Sequence, residues 1–420
     1  DKAAQDAYIA SLSDISTDWY GLMFRNSFSQ GHHLSMSGGS DKYTYYISLG
    51  LNDENGMLIH NDYRRYNFNA NINLKPVEWA RINIGAEASR QESSMPYSSV
   101  NPFTYAYFSN PYEKAYNDDG SYAADRTWFT LGYWNGRGAE QVMPLNGFNI
   151  LRELDSNYTD TRNTAVTVRG QLDLRIIEPL HFVGLASYTY SNNSTDKVVD
   201  KYTWTAFNDR LGNDDKSQTN LYGNISQNRT NRDSYVLRGH FAFNRTFSGI
   251  HTLNVLAGSE IRGAGSNTLF SKRYNYDPKT GTTSLPPISG PSDEWVSEVE
   301  RLNGQYFSES RYASFYASAD YYLGKAIVLN ASFRTDGSSN FGNKRQFNPT
   351  WSAGAAWHLG EEEWMKRSLP AVSHATLRAA FGYTGEVNTS TTHLMVIRYL
   401  QQQYRYFGEQ TFNLGTLPSA

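Results

Sequence analysis

Long stretches of strict two-residue alternation constrain this chain more than any other feature of its sequence. Between Ile327 and Asp336, apolar side chains at odd positions alternate with Asn330, Ser332 and Arg334. Between Tyr63 and Leu74, the even positions carry mainly aromatic and aliphatic side chains, and the odd positions from Asn67 onward carry Asn. Successive side chains of a strand point to opposite faces of a sheet, so this pattern predicts strands with one apolar face and one polar face.

We predict about 12 such strands, each of roughly 11–16 residues. Strands of soluble proteins average about 5–6 residues, whereas about 9–11 residues are needed to cross the apolar layer of a membrane. The length therefore favours an all-β fold, an antiparallel transmembrane β-barrel segment, over a soluble sandwich. The predicted strands are 27–38, 42–53, 63–75, 79–92, 162–176, 180–192, 232–247, 250–263, 310–323, 326–337, 350–360 and 374–385.

The connections between these strands alternate in length. Short turns join one end of successive pairs, whereas long loops near 93–161, 193–231 and 264–310 join the other end. This sidedness is typical of outer-membrane barrels, in which the short turns are periplasmic and the long loops are extracellular. We expect residues 27–386 to form the barrel strands and loops, and we assign 1–26 and 387–420 to extracellular loop segments. The segment 336–340 is predicted to be a tight extracellular loop.

Composition excludes several other classes. The chain has no cysteine, which removes disulfide scaffolds and Cys-ligated metal sites. Its net charge of -3 does not suit a nucleic-acid binder. No apolar run approaches the length of a transmembrane helix. No nucleophile lies at usable spacing from a base, so we predict that the protein is not an enzyme.

We also predict no cofactor. Two Asx-rich segments, 117–120 and 213–215, could hold Ca²⁺ through carboxylate oxygens, although hydrogen-bonded turns are the favoured interpretation.

One soluble alternative stays open at this point. A large β-protein or adhesin with tyrosine-rich surfaces would also show alternation, since 15% of the residues are aromatic. Its core would favour Val, Ile and Leu. Instead, the apolar stripes here combine alanine with aromatic residues, as in Ala313, Phe315 and Ala317. Aromatic residues near strand ends are typical of membrane interfaces, so the barrel is preferred.

Several segments resemble one known family. The most specific is Arg334–Phe341, which reads RTDGSSNF. The others are Thr17–Trp19 (TDW), Ser35–Lys42 (SMSGGSDK), Tyr45–Gly50 (YYISLG), Asn110–Glu113 (NPYE) and Leu377–Gly385 (LRAAFGYTG). Together they resemble the SusC/RagA family of TonB-dependent outer-membrane transporters of Bacteroidetes-type bacteria, over nearly the whole chain.

This resemblance implies a barrel of about 22 strands with a plug, working with a SusD-like surface lipoprotein and the TonB complex. It implies import of oligomeric nutrients, most often glycans, with peptides as the alternative. The plug, the TonB-box region and roughly nine closing strands have no counterpart here, so we expect a piece of a longer barrel. A divided barrel half that is completed by another chain is a second hypothesis.

Two sets of residues are candidates for the transport path. A hydrated solute needs a polar lumen, and the predicted lumen-lining residues are Asn67, Asn69, Asn71, Arg81, Glu87, Arg169, Asp173 and Arg238. These side chains could equally hydrogen-bond to one another or hold a plug.

The long loop near 93–161 is rich in aromatic residues, whose faces stack on sugar rings while charged side chains bind hydroxyls. Its predicted substrate-binding residues are Trp128, Trp134, Tyr133, Asp125, Arg126 and Arg137. The alternative is that this loop uses its aromatics for its own small core or for the lipoprotein interface.

Overall fold

A computed structural model gives the architecture of the chain. It describes residues 2–125, 148–208, 223–284, 302–339 and 347–385, together with the backbone of 396–399, 405–406, 409–410 and 412–415. Within this part of the chain, twelve strands form one antiparallel sheet in which every strand pairs with its neighbours in sequence order. Such a meander is the topology that hairpin turns between consecutive long strands produce.

The strands confirm the prediction made from alternation, and each predicted strand overlaps one observed strand. They are β1 (Phe28–Ser40), β2 (Tyr43–Asn55), β3 (Asp62–Val77), β4 (Ala80–Pro96), β5 (Tyr158–Ile177), β6 (Leu180–Val199), β7 (Asn224–Phe247), β8 (His251–Tyr274), β9 (Asn303–Leu323), β10 (Ile327–Ser338), β11 (Phe347–His358) and β12 (Thr376–Tyr383). Four strand segments follow near the end of the chain: β13 (Val396–Tyr399), β14 (Arg405–Tyr406), β15 (Glu409–Gln410) and β16 (Phe412–Gly415).

Several strands extend further toward the loops than predicted. β7 and β8 each have 24 residues, and the added residues lie at the loop end of each strand. These extensions are rich in Asn, Ser, Thr and Arg on both faces. Alternation of apolar and polar residues disappears where a strand leaves an apolar layer, although its backbone pairing continues. The same effect corrects the prediction for 336–340, because Asp336, Gly337 and Ser338 belong to β10.

The sheet is open. Within the described residues, β1 pairs only with β2, and β12 pairs only with β11. All residues of both edge strands are exposed. An unpaired edge presents a row of free backbone N–H and C=O groups, and this is costly in a membrane.

The two faces of the sheet differ in chemistry. Directly paired residues share a face, so the register assigns each side chain to one side. One face, called here the apolar face, carries exposed aliphatic and aromatic side chains across its whole width. They include Val168, Leu237, Phe241, Ile261, Phe315, Phe333, Trp351 and Phe381. The opposite face, called here the polar wall, carries amides, hydroxyls and charges.

Within the described residues, six short helices accompany the sheet. They are α1 (Lys2–Leu12), α2 (Trp19–Met23), α3 (Pro102–Phe108), α4 (Ile150–Ser156), α5 (Trp204–Asn208) and α6 (Glu363–Ser368), with a 3₁₀ turn at Leu359–Glu361. No helix in the described part of the chain is both long enough and apolar enough to cross a membrane.

The main hydrophobic core lies beside the sheet, at its loop end. It is formed by α2, α3, α4 and α5 and is called here the loop cluster. Its buried members are Trp19, Met23, Phe24, Tyr105, Ala115, Phe148, Ile150, Leu151, Leu154 and Trp204. The long loop therefore uses Tyr105 and Phe148 in a small core, as one of its two alternatives expected, but it shares this core with residues that precede β1 and follow β6.

Candidate functional site

The register places all eight predicted lumen-lining residues on the polar wall. Asn69 pairs with Glu87, and Arg81 pairs with Asp173. The same face continues through β6 to Arg238 on β7. A single polar surface therefore runs across these strands, as a water-filled lumen requires.

At the turn end of the wall, amide side chains form a hydrogen-bonded ladder across three strands. Asn83 on β4 donates from Nδ2 to Oδ1 of Asn71 at 2.9 Å and to Oδ1 of Asn73 at 2.7 Å. Asn73 in turn donates to Oγ1 of Thr44 at 3.1 Å. The Asp173 carboxylate lies outside this ladder. Its Oδ1 atom lies 2.9 Å from Nδ1 of His181. These contacts show that part of the wall stabilises itself.

The Arg169 side chain on β5 occupies a space that a glycine on β4 leaves open. Gly85 lies directly opposite Arg169 in the register. A β-carbon added at Gly85 would lie 2.5 Å from Nε and 2.9 Å from Cγ of Arg169. The missing side chain therefore leaves the space in which the arginine stem lies across β4.

A second polar group spans β7 to β10. Arg334 donates from Nε to both carboxylate oxygens of Asp336, at 2.9 and 2.8 Å, and Ser314 donates to the same carboxylate. Nη1 of Arg238 lies 3.9 Å from the Glu260 carboxylate on the neighbouring strand. The predicted strand 326–337 places Arg334 and Asp336 on one polar face, but neither residue is among the predicted lumen-lining residues. Continued alternation through Asp336 was the signal that could have found this group.

The polar wall also contains a cleft at its turn end. It has a volume of about 290 Å³ and is lined by residues of β2 to β5 and the β1–β2 turn, including Asp41, Lys42, Arg81, Asn83 and Asp173. Both signs of charge and several amide groups face this space, so it can hydrogen-bond to a hydroxylated solute or to protein backbone.

Only one of the predicted substrate-binding residues lies within the described part of the chain. Trp128, Trp134, Tyr133, Arg126 and Arg137 lie outside it. Asp125 is half-buried against the loop cluster. Its carboxylate accepts a hydrogen bond from the Tyr105 hydroxyl at 2.7 Å, and its backbone N–H donates to the Phe148 carbonyl at 2.8 Å. Burial and the Asp125 charge both raise the pKa of Tyr105, so the phenol stays protonated and donates.

Two buried polar residues connect the segments of the loop cluster. Glu153 is 1% exposed and accepts hydrogen bonds from the backbone N–H groups of Trp204 and Thr205 and from the Thr205 hydroxyl. Burial raises the pKa of Glu153, while these donors act in the opposite direction. Asn149 caps α4 through the Arg152 N–H and donates to the carbonyls of Ala115 and Ala123. The loops that follow β4 and β6 are thereby held as one unit.

Exposed aromatic residues lie on the outer surface of this unit. Asn101 caps α3, with Pro102 at its first turn, and the helix buries Tyr105. Tyr107 and Phe108 then point away from the core, and Tyr107 is 83% exposed, whereas the Phe103 ring packs on the core residue Phe24 at 4.4 Å between centroids. Tyr107 and Phe108 contact each other edge to face at 4.9 Å between ring centroids. The sequence contains the signal for the start of this helix, since an Asn cap followed by Pro at the first helical position predicts a helix N-terminus.

The first predicted Ca²⁺ segment forms a turn. Asp119 accepts hydrogen bonds from both the N–H and the hydroxyl of Ser121, and Gly120 has a φ of +81°. Hydrogen bonding to Ser121 lowers the pKa of Asp119. The second segment, 213–215, lies outside the described residues. No group of three or more acidic or histidine side chains in the described part of the chain is placed to bind a metal.

Known proteins resemble this chain along most of its length. It is 23% identical over 409 residues to the TonB-dependent receptor SusC of Bacteroides thetaiotaomicron, a match that covers 91% of this chain and 36% of SusC. It is 21% identical over 408 residues to the TonB-dependent receptor P3 of Formosa agariphila, covering 95% of this chain and 37% of that protein. No family model matches the sequence.

Solved structures of the same kind of protein resemble this chain in fold. The RagAB peptide importer in its open-open state superposes with a TM-score of 0.67 and 16% identity, covering 96% of this chain and 41% of that chain. The chain is SusC/RagA-like: it resembles TonB-dependent transporters of that kind in sequence and in fold. It spans about a third of the length of the curated relatives it matches. The sheet formed by the described residues is open and has twelve strands, and the relatives that it resembles are longer than this chain.

Proposed function

We propose that this SusC/RagA-like chain forms part of the wall and mouth of a TonB-dependent importer in the bacterial outer membrane, with its long loops extracellular. Its cargo is an oligomeric nutrient, most often a glycan. A SusD-like lipoprotein covers the mouth, and the TonB complex supplies energy from the inner membrane. The protein moves its cargo and does not transform it, in keeping with relatives that are named as receptors and an importer.

The observation that carries this proposal is the division of one sheet into two faces. The apolar face leaves Leu237, Phe315 and Phe381 exposed, and a continuous apolar surface on one side of long strands suits contact with lipid. The polar wall on the opposite side carries Arg81, Asp173 and Arg238. A hydrated oligomer can pass along such a wall, because its hydroxyl groups exchange water for amides and charges.

The exposed aromatic surface on α3 supports a glycan as cargo. The faces of Tyr107 and Phe108 can stack on the apolar C–H face of a sugar ring, and large rigid aromatics lose little entropy on binding. The predicted substrate-binding residues Trp128, Trp134 and Tyr133 belong to the same long loop of the sequence. Asp125 holds the cluster through Tyr105, so we assign it a supporting role in the mouth.

Peptide cargo is the second candidate. RagAB, whose structures share this fold, is a peptide importer. The mixed charges of the polar wall, such as Arg334 with Asp336 and Arg238 near Glu260, also suit the termini and side chains of a peptide.

The test is ligand capture by the protein purified from outer membranes in mild detergent. Native mass spectrometry would be recorded with an oligosaccharide library and, separately, with a peptide pool. We expect retention of oligosaccharides, and a double substitution Tyr107→Ala and Phe108→Ala should weaken it about tenfold, or about 1.4 kcal/mol. Tyr8→Ala is the matched control, since Tyr8 is an exposed aromatic on α1. Retention of peptides alone would transfer the assignment to the second candidate, and retention of neither would contradict the importer.

A further inference from the structure

The apolar face contains a wide groove on β1 to β4, near the loop end of these strands. It has a volume of about 800 Å³, and its apolar lining includes Leu34, Leu49, Leu51, Phe68 and Ala88. The register places these side chains together on the apolar face. The groove is therefore open to the hydrocarbon side of the sheet and is large enough for an acyl chain.

Arginine residues lie immediately above this groove, toward the loops. Arg90 pairs with Tyr66 at the upper edge of the groove. Two residues further along β4 toward the loops, Glu92 pairs with Arg64 on β3 and with Arg162 on β5, so the three residues form one cross-strand row. Levels on one face are separated by two residues, which is about 7 Å along a strand. The three guanidinium groups thus lie within one or two levels of the apolar lining.

This placement is specific to β3–β5. At the level where β4 carries Arg90, β5 carries Thr164, and β6 to β8 carry amides on the same face: Asn192, Asn231 and Asn267. The nearest other arginine in the upper row, Arg229, is bound to Asp196 at 2.7 Å and is mostly covered. The concentration of guanidinium groups above the groove is therefore a local feature and not a general charge belt.

The three arginines have hydrogen-bonding capacity to spare. Arg162 is exposed and has no ion pair within the part of the chain that the structure describes. Arg64 contacts Asp53 at 2.9 Å and leaves half of its side chain exposed, and Arg90 is paired with Glu92 while 59% of its side chain is exposed. A guanidinium has five N–H donors, so each of these pairs leaves donors that face outward.

The space around these arginines is a second cavity of about 770 Å³. Asp62 and Asp160 line its upper part, one level beyond Arg64 and Arg162. From the membrane outward, the order along these strands is the apolar groove, then three arginines that outnumber Asp53 and Glu92 at their level, and then Asp62 and Asp160. An amphiphile with an acyl chain and a phosphate matches the first two layers, whereas the acidic layer disfavours an anion further out.

We propose that this composite surface binds one anionic lipid of the outer leaflet, with its phosphate against Arg64, Arg90 and Arg162 and an acyl chain in the groove. This inference rests on the proposed location of the sheet in the outer membrane. Guanidinium groups bind phosphate through parallel N–H donors, and basic pockets at a membrane surface bind anionic head groups.

The experiment is native mass spectrometry of the protein purified from outer membranes in mild detergent, scored for bound phosphorylated lipid. The triple substitution R64Q/R90Q/R162Q should reduce the retained lipid at least tenfold. A88F, which fills the groove without adding charge, should also reduce it. Arg245→Gln is the matched control, because Arg245 lies on the apolar face near the turn end and stacks on Phe247. It should leave retention unchanged.

Each other result contradicts the proposal in a distinct way. Unchanged lipid in the triple variant would mean nonspecific annular lipid. If the retained ligand is displaced by millimolar inorganic phosphate and contains no acyl chain, the arginines form a site for free phosphate. A co-purified polypeptide crosslinked to β3–β5 would mean a protein interface. Oligosaccharide capture in the same preparations separates the two proposals, since failure of the lipid site leaves cargo binding intact.

Discussion

Replacing the buried Glu153 should detach α5 from the loop cluster. The Glu153 carboxylate is 1% exposed and accepts hydrogen bonds from the Trp204 N–H, the Thr205 N–H and the Thr205 hydroxyl, the last at 2.7 Å. Asn157 also donates to it at 3.3 Å. Glu153→Ala removes the acceptor for all of these donors while leaving the loop backbone in place.

The size of the effect follows from the donors that lose their partner. A buried polar group without a hydrogen-bond partner costs about 1–3 kcal/mol. The Thr205 hydroxyl can turn to Ser99, which already lies 3.3 Å away. The two backbone N–H groups of Trp204 and Thr205 have no such freedom. The local free energy of opening should therefore fall by about 2–4 kcal/mol, which corresponds to roughly 30- to 700-fold faster amide exchange.

Hydrogen exchange at the Trp204 and Thr205 amides measures this directly. Glu178→Ala is the matched control, since Glu178 lies in a strand turn with 88% of its side chain exposed. It should leave exchange at Trp204 and Thr205 unchanged. Acceleration of less than about threefold in Glu153→Ala would show that the carboxylate does not hold α5, and it would refute this account of the loop cluster.

Three further predictions concern the two faces and the cluster. Val168→Arg on the apolar face should cost about 2–4 kcal/mol of unfolding free energy in lipid, whereas Thr167→Arg on the polar wall should cost far less, as urea titration in lipid vesicles would show. Gly85→Val should displace Arg169, seen as changed NMR shifts of its guanidinium, while Gly85→Ser should give a smaller change. Because burial raises the pKa of Glu153, the loop cluster should lose stability as the pH rises from 4.5, the ordinary pKa of Glu, through the raised pKa of Glu153. Amide exchange at α5 should therefore become faster over this pH range, and Glu153→Gln should abolish that pH dependence.

The strands of the sheet could be predicted from the sequence because each of them alternates apolar and polar side chains. A strand between lipid and water must alternate, so strands such as β3 and β10 could be predicted from their side chains alone. The polar wall followed from the same rule, since Asn69 and Arg81 had to lie opposite the apolar stripe. Their role as lumen residues stays a prediction.

The loop cluster could not be predicted in the same way. Its core joins Trp19, Tyr105, Phe148 and Trp204, which are far apart in sequence and follow no period. Contacts of this kind depend on tertiary packing, which a one-dimensional pattern does not encode. Strand ends were likewise missed, because β7 and β8 continue as hydrogen-bonded strands after the apolar positions stop. The predicted binding residues Trp128, Tyr133 and Trp134 lie outside the described residues and stay a prediction.

The central claim is that one face of this sheet meets lipid and the other meets water. Because the chain has no cysteine, single Cys substitutions along β5 from 165 to 173 can test it residue by residue in outer membranes. We predict that odd positions react with a water-soluble maleimide, whereas even positions are protected and respond instead to a lipid-borne quencher of an attached fluorophore. Equal aqueous reactivity at Val168 and Arg169 positions, with no two-residue period, would contradict the membrane-spanning sheet.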